Sequence, residues 1–327
     1  MKKVILLLVS VLGFVSADLR AGSTINNTNA FSYAANFGWT NWHGSDVGQP
    51  PGIYGVNIGE FFVGGWIYGA NVGWISMCRK DASNPPNDVE PTNHYAYSNT
   101  GSDYGVNLVY DATQPGFAFL RGLAYGANIG WINFDSPTHP FPSTMPPISK
   151  PRISLITGKL TGYAYSANGG WISLDELDAG SIPRYVQTDH IMMGVDSNSN
   201  GIADAWEYLY FAGLLAPGGQ NTDPQSTGES ILQHYLDGSN PTVVGSGFRV
   251  TAFTKTGGTN DNITFTSATT RLYSIERKAN IFDATWTPDP VFGTPFQPDN
   301  FTTTTRSVDV SAVTKRFFRV KAIRPLP

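Results

Sequence analysis

The sequence predicts a mainly β fold in three parts: an N-terminal array of β-hairpin repeats, a short helical segment, and a C-terminal β-sandwich. Three observations predict it. Charged residues make up 14% of the 327, against about 25% in an ordinary soluble domain. Aromatics make up 13%, with 35 Gly and 22 Pro, a composition suited to half-buried pleated strands joined by tight turns. One aromatic phrase also occurs four times. The same numbers exclude a disordered polyanion, which needs high charge and few aromatics. A formal net charge of −4 excludes a basic nucleic-acid binder.

The N-terminus reads as an address. Lys2 and Lys3 precede an apolar run over residues 4–15, and Val15-Ser16-Ala17 offers a small-x-small cleavage site. This is the layout of a secretory signal peptide over residues 1–17. The run is too short to span a bilayer, which takes about 20 helical residues. Without that segment the balance is 19 basic against 25 acidic residues. The leader places the mature chain outside the cell or on its surface, and since no later apolar stretch is long enough for a transmembrane segment, it is expected to be soluble or peripherally attached there. Cys78 is the one cysteine. It cannot form an intrachain disulfide, and beside Met77 it reads as a buried, inert thiol.

Residues 18–185 form the expected repeat domain. The phrase is Tyr33-Ala34-Ala35-Asn36-Phe37-Gly38-Trp39, then Tyr68-Gly69-Ala70-Asn71-Val72-Gly73-Trp74-Ile75. It returns as Tyr125-Gly126-Ala127-Asn128-Ile129-Gly130-Trp131-Ile132 and Tyr165-Ser166-Ala167-Asn168-Gly169-Gly170-Trp171-Ile172. The Trp-to-Trp spacings are 35, 57 and 40 residues, so this is a repeat array. Asn-x-Gly is a turn signal, since Asn and Gly tolerate positive φ, and the flanks read as strands. Matching strands lead the last three copies: Tyr54-Gly55-Val56-Asn57-Ile58, Tyr104-Gly105-Val106-Asn107-Leu108 and Pro151-Arg152-Ile153-Ser154-Leu155. The recurring Trp is expected to pack between neighbouring hairpins as one continuous core. The alternative is an exposed row in which Tyr68, Trp74, Tyr125, Trp131, Tyr165 and Trp171 stack on sugar rings. Polar and proline-bearing stretches at 79–103 and 136–151 read as connectors. Over about residues 30–175 the phrase resembles the Gly-Tyr-Ala-Trp-Ser-Glu-Asn-x-Gly-Trp-Ile repeat of secreted bacterial proteins. That resemblance implies no activity.

Residues 190–242 are the expected calcium segment. Residues 196–207 read Asp-Ser-Asn-Ser-Asn-Gly-Ile-Ala-Asp-Ala-Trp-Glu. Asp196, Asn198, Asn200, Asp204 and Glu207 fall at positions 1, 3, 5, 9 and 12 of a twelve-residue loop. Gly201 sits at the sharp turn, and Ile202 at position 7 offers its carbonyl. The pattern matches the EF-hand scheme, in which hard oxygens wrap calcium. Residues 205–211 continue as a short helix. Asp223, Gln225, Thr227, Gly228 and His234 then sit on positions 1, 3, 5, 6 and 12 of a second loop that lacks the acidic ligands. Residues 231–236 form a second helix. The pair resembles the dockerin-like and thrombospondin-type-3-like segments of secreted bacterial proteins, ending here in Tyr235-Leu236-Asp237-Gly238-Ser239-Asn240-Pro241. The resemblance implies one structural calcium ion.

Residues 245–327 alternate as short strands: 248–253, 262–266, 272–277, 285–287, 307–310 and 316–322. This spacing predicts a small β-sandwich. The order Leu272-Tyr273-Ser274-Ile275-Glu276, Trp286, Phe317-Phe318-Arg319-Val320 resembles the terminal fibronectin-like module of secreted bacterial proteins.

Catalytic motifs are missing from the sequence: there is no HExxH, no Gly-x-Ser-x-Gly and no P-loop. Asp175, Glu176 and Asp178 cluster after the fourth repeat and read as a solvated loop, with a glycosidase pair as the conceivable alternative. The expected function is therefore that of a secreted, non-catalytic, calcium-stabilised structural or adhesive protein of the cell surface or extracellular matrix. Surface or matrix proteins and glycans are the expected partners, and nucleic acid is not. The alternative is a carbohydrate-binding protein that uses the Tyr/Trp row. A polysaccharide hydrolase is the third choice.

Overall fold

The computed structural model describes residues 23–44, 55–79, 94–100, 103–135, 149–299, 302–311 and 316–327. The expected signal segment 1–17 and most of the two connectors lie outside them. The protein is mainly β, with two α-helices among the described residues. It divides into two compact units. One runs up to Val109, resumes over Phe117–Leu214 and takes in Leu326–Pro327; the other holds Tyr110–Gly116 and Leu215–Pro325.

The first unit contains β1 (Ile25–Ala34), β2 (Gly38–Asn41), β3 (Val56–Ile58), β4 (Phe62–Gly69), β5 (Gly73–Ser76) and β6 (Val106–Tyr110, whose last residue belongs to the other unit). It continues with β7 (Phe117–Gly126), β8 (Gly130–Phe134), β9 (Arg152–Ser154), β10 (Leu160–Thr161), β11 (Tyr163–Ser166) and β12 (Gly170–Ser173). β13 (Asp175–Leu177) and β14 (Pro183–Thr188) complete it. Each aromatic phrase forms one antiparallel hairpin: β1–β2, β4–β5, β7–β8 and β11–β12. Successive hairpins then pair with each other, β2 with β4, β5 with β7 and β8 with β11. The last pairs with the first through Tyr33↔Ser173 and Ala34↔Ile172. Eight strands thus close into a ring with every edge paired, the arrangement that removes exposed sheet edges.

The hairpin tips explain the repeated residues. Each strand pair closes on a three-residue loop followed by a glycine of positive φ: Gly38 (83°), Gly73 (75°), Gly130 (70°) and Gly170 (75°). This is the turn-plus-bulge loop that suits strand twist. The Asn does not take positive φ, contrary to the sequence expectation. Its side chain instead ties hairpin to hairpin: Asn71 Nδ2 donates to Phe37 O, Asn128 Nδ2 to Val72 O and Asn168 Nδ2 to Ile129 O, at 3.0–3.1 Å. At the closing junction Asn36 Nδ2 lies 3.2 Å from where a Gly170 Cβ would sit.

Residues opposite each other in a ladder share a face, and successive residues alternate. Ala34, Ile67, Ile75, Ala124, Ile132, Ala164 and Ile172 are buried and line the ring's interior. Phe37, Val72 and Ile129 at the tips are buried too. Gly169 holds the equivalent place in the fourth tip, and a Cβ there would lie 2.4 Å from the Phe37 ring. One large tip residue therefore fills the room left by one absent side chain. The leader strands extend the sheet from the lower halves of the long strands: β3 and β6 pair with β4, and β9 pairs with β7.

The second unit carries β15 (Val250–Lys255), β16 (Asn260–Thr266), β17 (Leu272–Lys278), β18 (Thr287–Pro288), β19 (Thr303–Asp309) and β20 (Phe317–Ile323). They form two three-stranded antiparallel sheets, β15–β16–β19 and β18–β17–β20. Phe265 and Ile263 from one sheet meet Tyr273, Ile275, Phe318 and Val320 from the other in a single core, which makes this a sandwich. Trp286 stays out of that core, half-buried under the charged ends of Lys278 and Arg319, 4.9 and 4.8 Å from its ring.

Candidate metal loop and aromatic belt

Helix α1 (Asp204–Phe211) belongs to the first unit, with the 196–207 loop at its start. Its first residue follows Ala203, and no side chain caps it. The loop is shaped by Ser199 and Gly201, both at positive φ (55° and 83°). Asp196 Oδ1 accepts from Asn200 N at 3.0 Å and its Oδ2 from Gly201 N at 2.8 Å. Asp204 Oδ1 accepts from Ser197 N at 2.9 Å. Glu207 is fully buried and points back into the loop. Asn200 Nδ2 reaches its Oε1 at 2.8 Å, and Asn198 Nδ2 lies 3.3 Å from both its oxygens. Ile202, fully buried, pins the loop to the core, and its N–H donates to Asn200 Oδ1 at 2.9 Å.

Positions 3, 5 and 12 are thus gathered on one another, with positions 1 and 9 holding the loop's backbone. These residues fit a hard divalent cation. A buried carboxylate is costly unless charge or hydrogen bonds compensate it, and amide carbonyls and carboxylates are the donors that calcium takes.

The second loop has the same backbone with different side chains. Ser226 and Gly228 repeat the positive φ of Ser199 and Gly201, at 52° and 87°. Asp223 repeats Asp196, accepting from Thr227 N at 2.8 Å and Gly228 N at 2.7 Å. At position 12, however, His234 places Nε2 3.0 Å from Thr227 Oγ1, where the first loop has Glu207 against Asn200. Helix α2 (Ile231–Asp237) begins with a capping box: Ser230 Oγ accepts from Gln233 N, and Gln233 Oε1 accepts from Ser230 N at 2.7 Å. Glu229 and Asp237 hold their protons to higher pH than free carboxyls do. Burial pushes Glu229 up to about 7 and Asp237 up to about 6, and the two carboxyls face each other. Burial also lowers the pKa of His234.

The repeat aromatics lie on the outer face of the ring, so the expected core of packed Trp is not formed. Each Trp rests against the Tyr of its own hairpin. Ring centroids are 4.8 Å apart for Tyr33–Trp39 and 5.0 Å for Tyr68–Trp74, Tyr125–Trp131 and Tyr165–Trp171. Trp39 and Trp74 are half-buried, whereas Trp131, Trp171 and Tyr125 are each 39% exposed. Between the pairs, Asn41, Ser76, Asn133 and Ser173 sit in register with the next Tyr. The result is a belt of aromatic faces with buried amides and hydroxyls beneath and between them. Period-two alternation showed two faces but not which one closes inward. The overlooked signal was the small residue after each Tyr (Ala34, Gly69, Gly126, Ser166), which suits the narrow interior.

Asp175 and Glu176 lie in a strand and not in the solvated loop expected, and Asp178 stands in the turn that follows. That strand, β13, pairs with β14. Lys159 Nζ reaches Asp175 at 3.3 Å, and Arg184 Nε reaches Asp178 at 3.0 Å. Hydrogen bonds from the 180–182 turn and from Arg184 hold Asp178 below the usual carboxylate range. Cys78 is buried in a cluster with Phe62, Tyr97 and Ala205. Among the described residues no helix is long and apolar enough to cross a membrane. No protein-family model, curated protein or solved structure matches this chain.

Proposed function

We propose that the chain is a secreted, non-catalytic, calcium-stabilised structural or adhesive protein of the cell surface or extracellular matrix. The observation that carries this reading is the buried Glu207 carboxylate, in the first turn of a helix that no side chain caps, with loop positions 3 and 5 gathered on it. Calcium would be held by Asp196, Asn198, Asn200, Asp204, Glu207 and the Ile202 carbonyl, and would supply the charge that this carboxylate faces. A signal-peptide pattern over residues 1–17 supports export, and a ring without free edges suits a protein that must persist outside the cell. Calorimetric titration with calcium tests the reading: one equivalent should bind, and a chain that takes up no calcium would rule it out.

The aromatic belt favours a second reading, carbohydrate binding. Exposed aromatic faces match the apolar face of a sugar ring, and Trp131, Trp171 and Tyr125 are the most open of the repeat aromatics. Retention on insoluble polysaccharide should fall when Trp131→Ala and Trp171→Ala are combined. Retention equal to that of the unaltered chain would remove this reading.

A further inference from the structure

The second loop and its helix bring together three side chains that the calcium scheme does not use. One ligand atom each of Glu229, His234 and Asp237 lies within 4.8 Å of the others. His234 and Asp237 are 1% and 5% exposed, and the Glu229 side chain is 18% exposed. The donor set differs in kind from that of the first loop. It is one imidazole nitrogen with two carboxylates, the mixture that suits borderline metals better than calcium.

The hydrogen bonds around these groups fix which atoms are available. The Thr227 hydroxyl has one proton and two oxygen acceptors for it, Asp223 Oδ1 at 3.0 Å and the Glu229 carbonyl at 3.3 Å. It therefore accepts from His234 Nε2–H, 3.0 Å away. The imidazole is left with its lone pair on Nδ1, which faces Glu229 Oε2 at 3.9 Å. A carboxylate–hydroxyl–imidazole chain of this sort orients histidine ligands in metal sites. The other two groups are oriented as well. Phe248 N donates to Glu229 Oε2 at 3.0 Å, and Ser239 N donates to Asp237 Oδ1 at 2.9 Å. Ser239 Oγ now sits 2.6 Å from Nδ1.

We infer that Glu229, His234 and Asp237 form a binding site for a divalent transition-metal cation of the zinc class. His234 Nδ1 and one oxygen from each carboxylate are its protein ligands. On binding, the cation takes the Nδ1 lone pair from the Ser239 hydroxyl, which turns away. It takes one oxygen of each carboxyl, and any proton that those carboxyls carry passes to solvent. This site is separate from the 196–207 loop and does not rest on the calcium reading.

Zinc chloride titrated into the full chain in saturating calcium tests the inference, because calcium keeps the first loop from reporting. One equivalent of zinc should bind. His234→Gln and Asp237→Asn should each weaken it about tenfold or more. Cobalt(II) bound to the unaltered chain provides a readout that needs no variant. The exchangeable His234 Nε2 proton should give one strongly shifted NMR signal. Absence of zinc uptake, zinc affinity indifferent to His234→Gln, or a cobalt complex without a shifted exchangeable proton would each overturn the assignment.

Discussion

The two twelve-residue loops share a backbone and differ in what completes them. Both bend through a serine and a glycine at positive φ, and both use an opening aspartate to gather the amides at positions 5 and 6. The first ends on a buried glutamate in the opening turn of a helix without a side-chain cap. The second ends on a histidine tied to Thr227, within a helix that opens on a capping box. Loop shape therefore comes from the opening Asp and the positive-φ pair, and ligand character from positions 3, 5, 7 and 12. The second loop closes on protein hydrogen bonds, whereas the first faces its carboxylate with amides.

Four perturbations would sharpen or break this comparison. The largest effect is expected at Glu207→Gln, which removes a buried charge facing the cation. Calcium affinity should drop by about 3 kcal/mol, roughly a hundredfold, read by calorimetry.

Next is a pH effect confined to the second loop. The carboxyls of Glu229 and Asp237 have raised pKa values in the folded chain, so the folded state holds more protons than the unfolded one between about pH 4 and 7. The stability they contribute is present below that window and is lost as pH rises through it, on the order of 2 kcal/mol. Thermal melts in chelator should show the decline, and Glu229→Gln should flatten it.

Ser230→Ala removes the α2 cap and should cost about 1 kcal/mol. Denaturant titration would read this, and the loss should not depend on calcium.

The smallest effect is a matched pair, Ser199→Gly and Ser226→Gly. Relief of positive φ is offset by chain entropy, so each should change stability by less than about 1 kcal/mol. Unequal effects on the calcium-free chain would show that the two backbones are not equivalent.

Much of this architecture was legible in the residues. The four phrases mark the four hairpins, and both helices begin within a residue of where the pattern places them. The sandwich strands follow their period-two alternation. Closure of the ring was not legible, because it depends on Tyr33 pairing with Ser173 across 140 positions, beyond any local pattern. The repeated Asn was misread for a related reason: its bond goes to the neighbouring hairpin rather than to its own turn. The repeated Trp was placed inward because large aromatics favour cores, but the ring's narrow interior takes small and branched side chains instead. Glu229 was missed because position 7 of such a loop normally contributes only its carbonyl. The His234–Asp237 spacing, one helical turn, was the signal that could have drawn the second cluster together.

The central claim is that the 196–207 loop holds calcium and that the first unit leans on it. The most direct measurement is the melting temperature of the full chain with calcium and with chelator, taken beside Glu207→Gln. A ligand that binds only the folded state raises stability by RT ln(1 + [L]/Kd). The account predicts a calcium-dependent rise in the unaltered chain that Glu207→Gln abolishes. Equal melting temperatures with calcium and chelator, or a rise that survives in the variant, would contradict it.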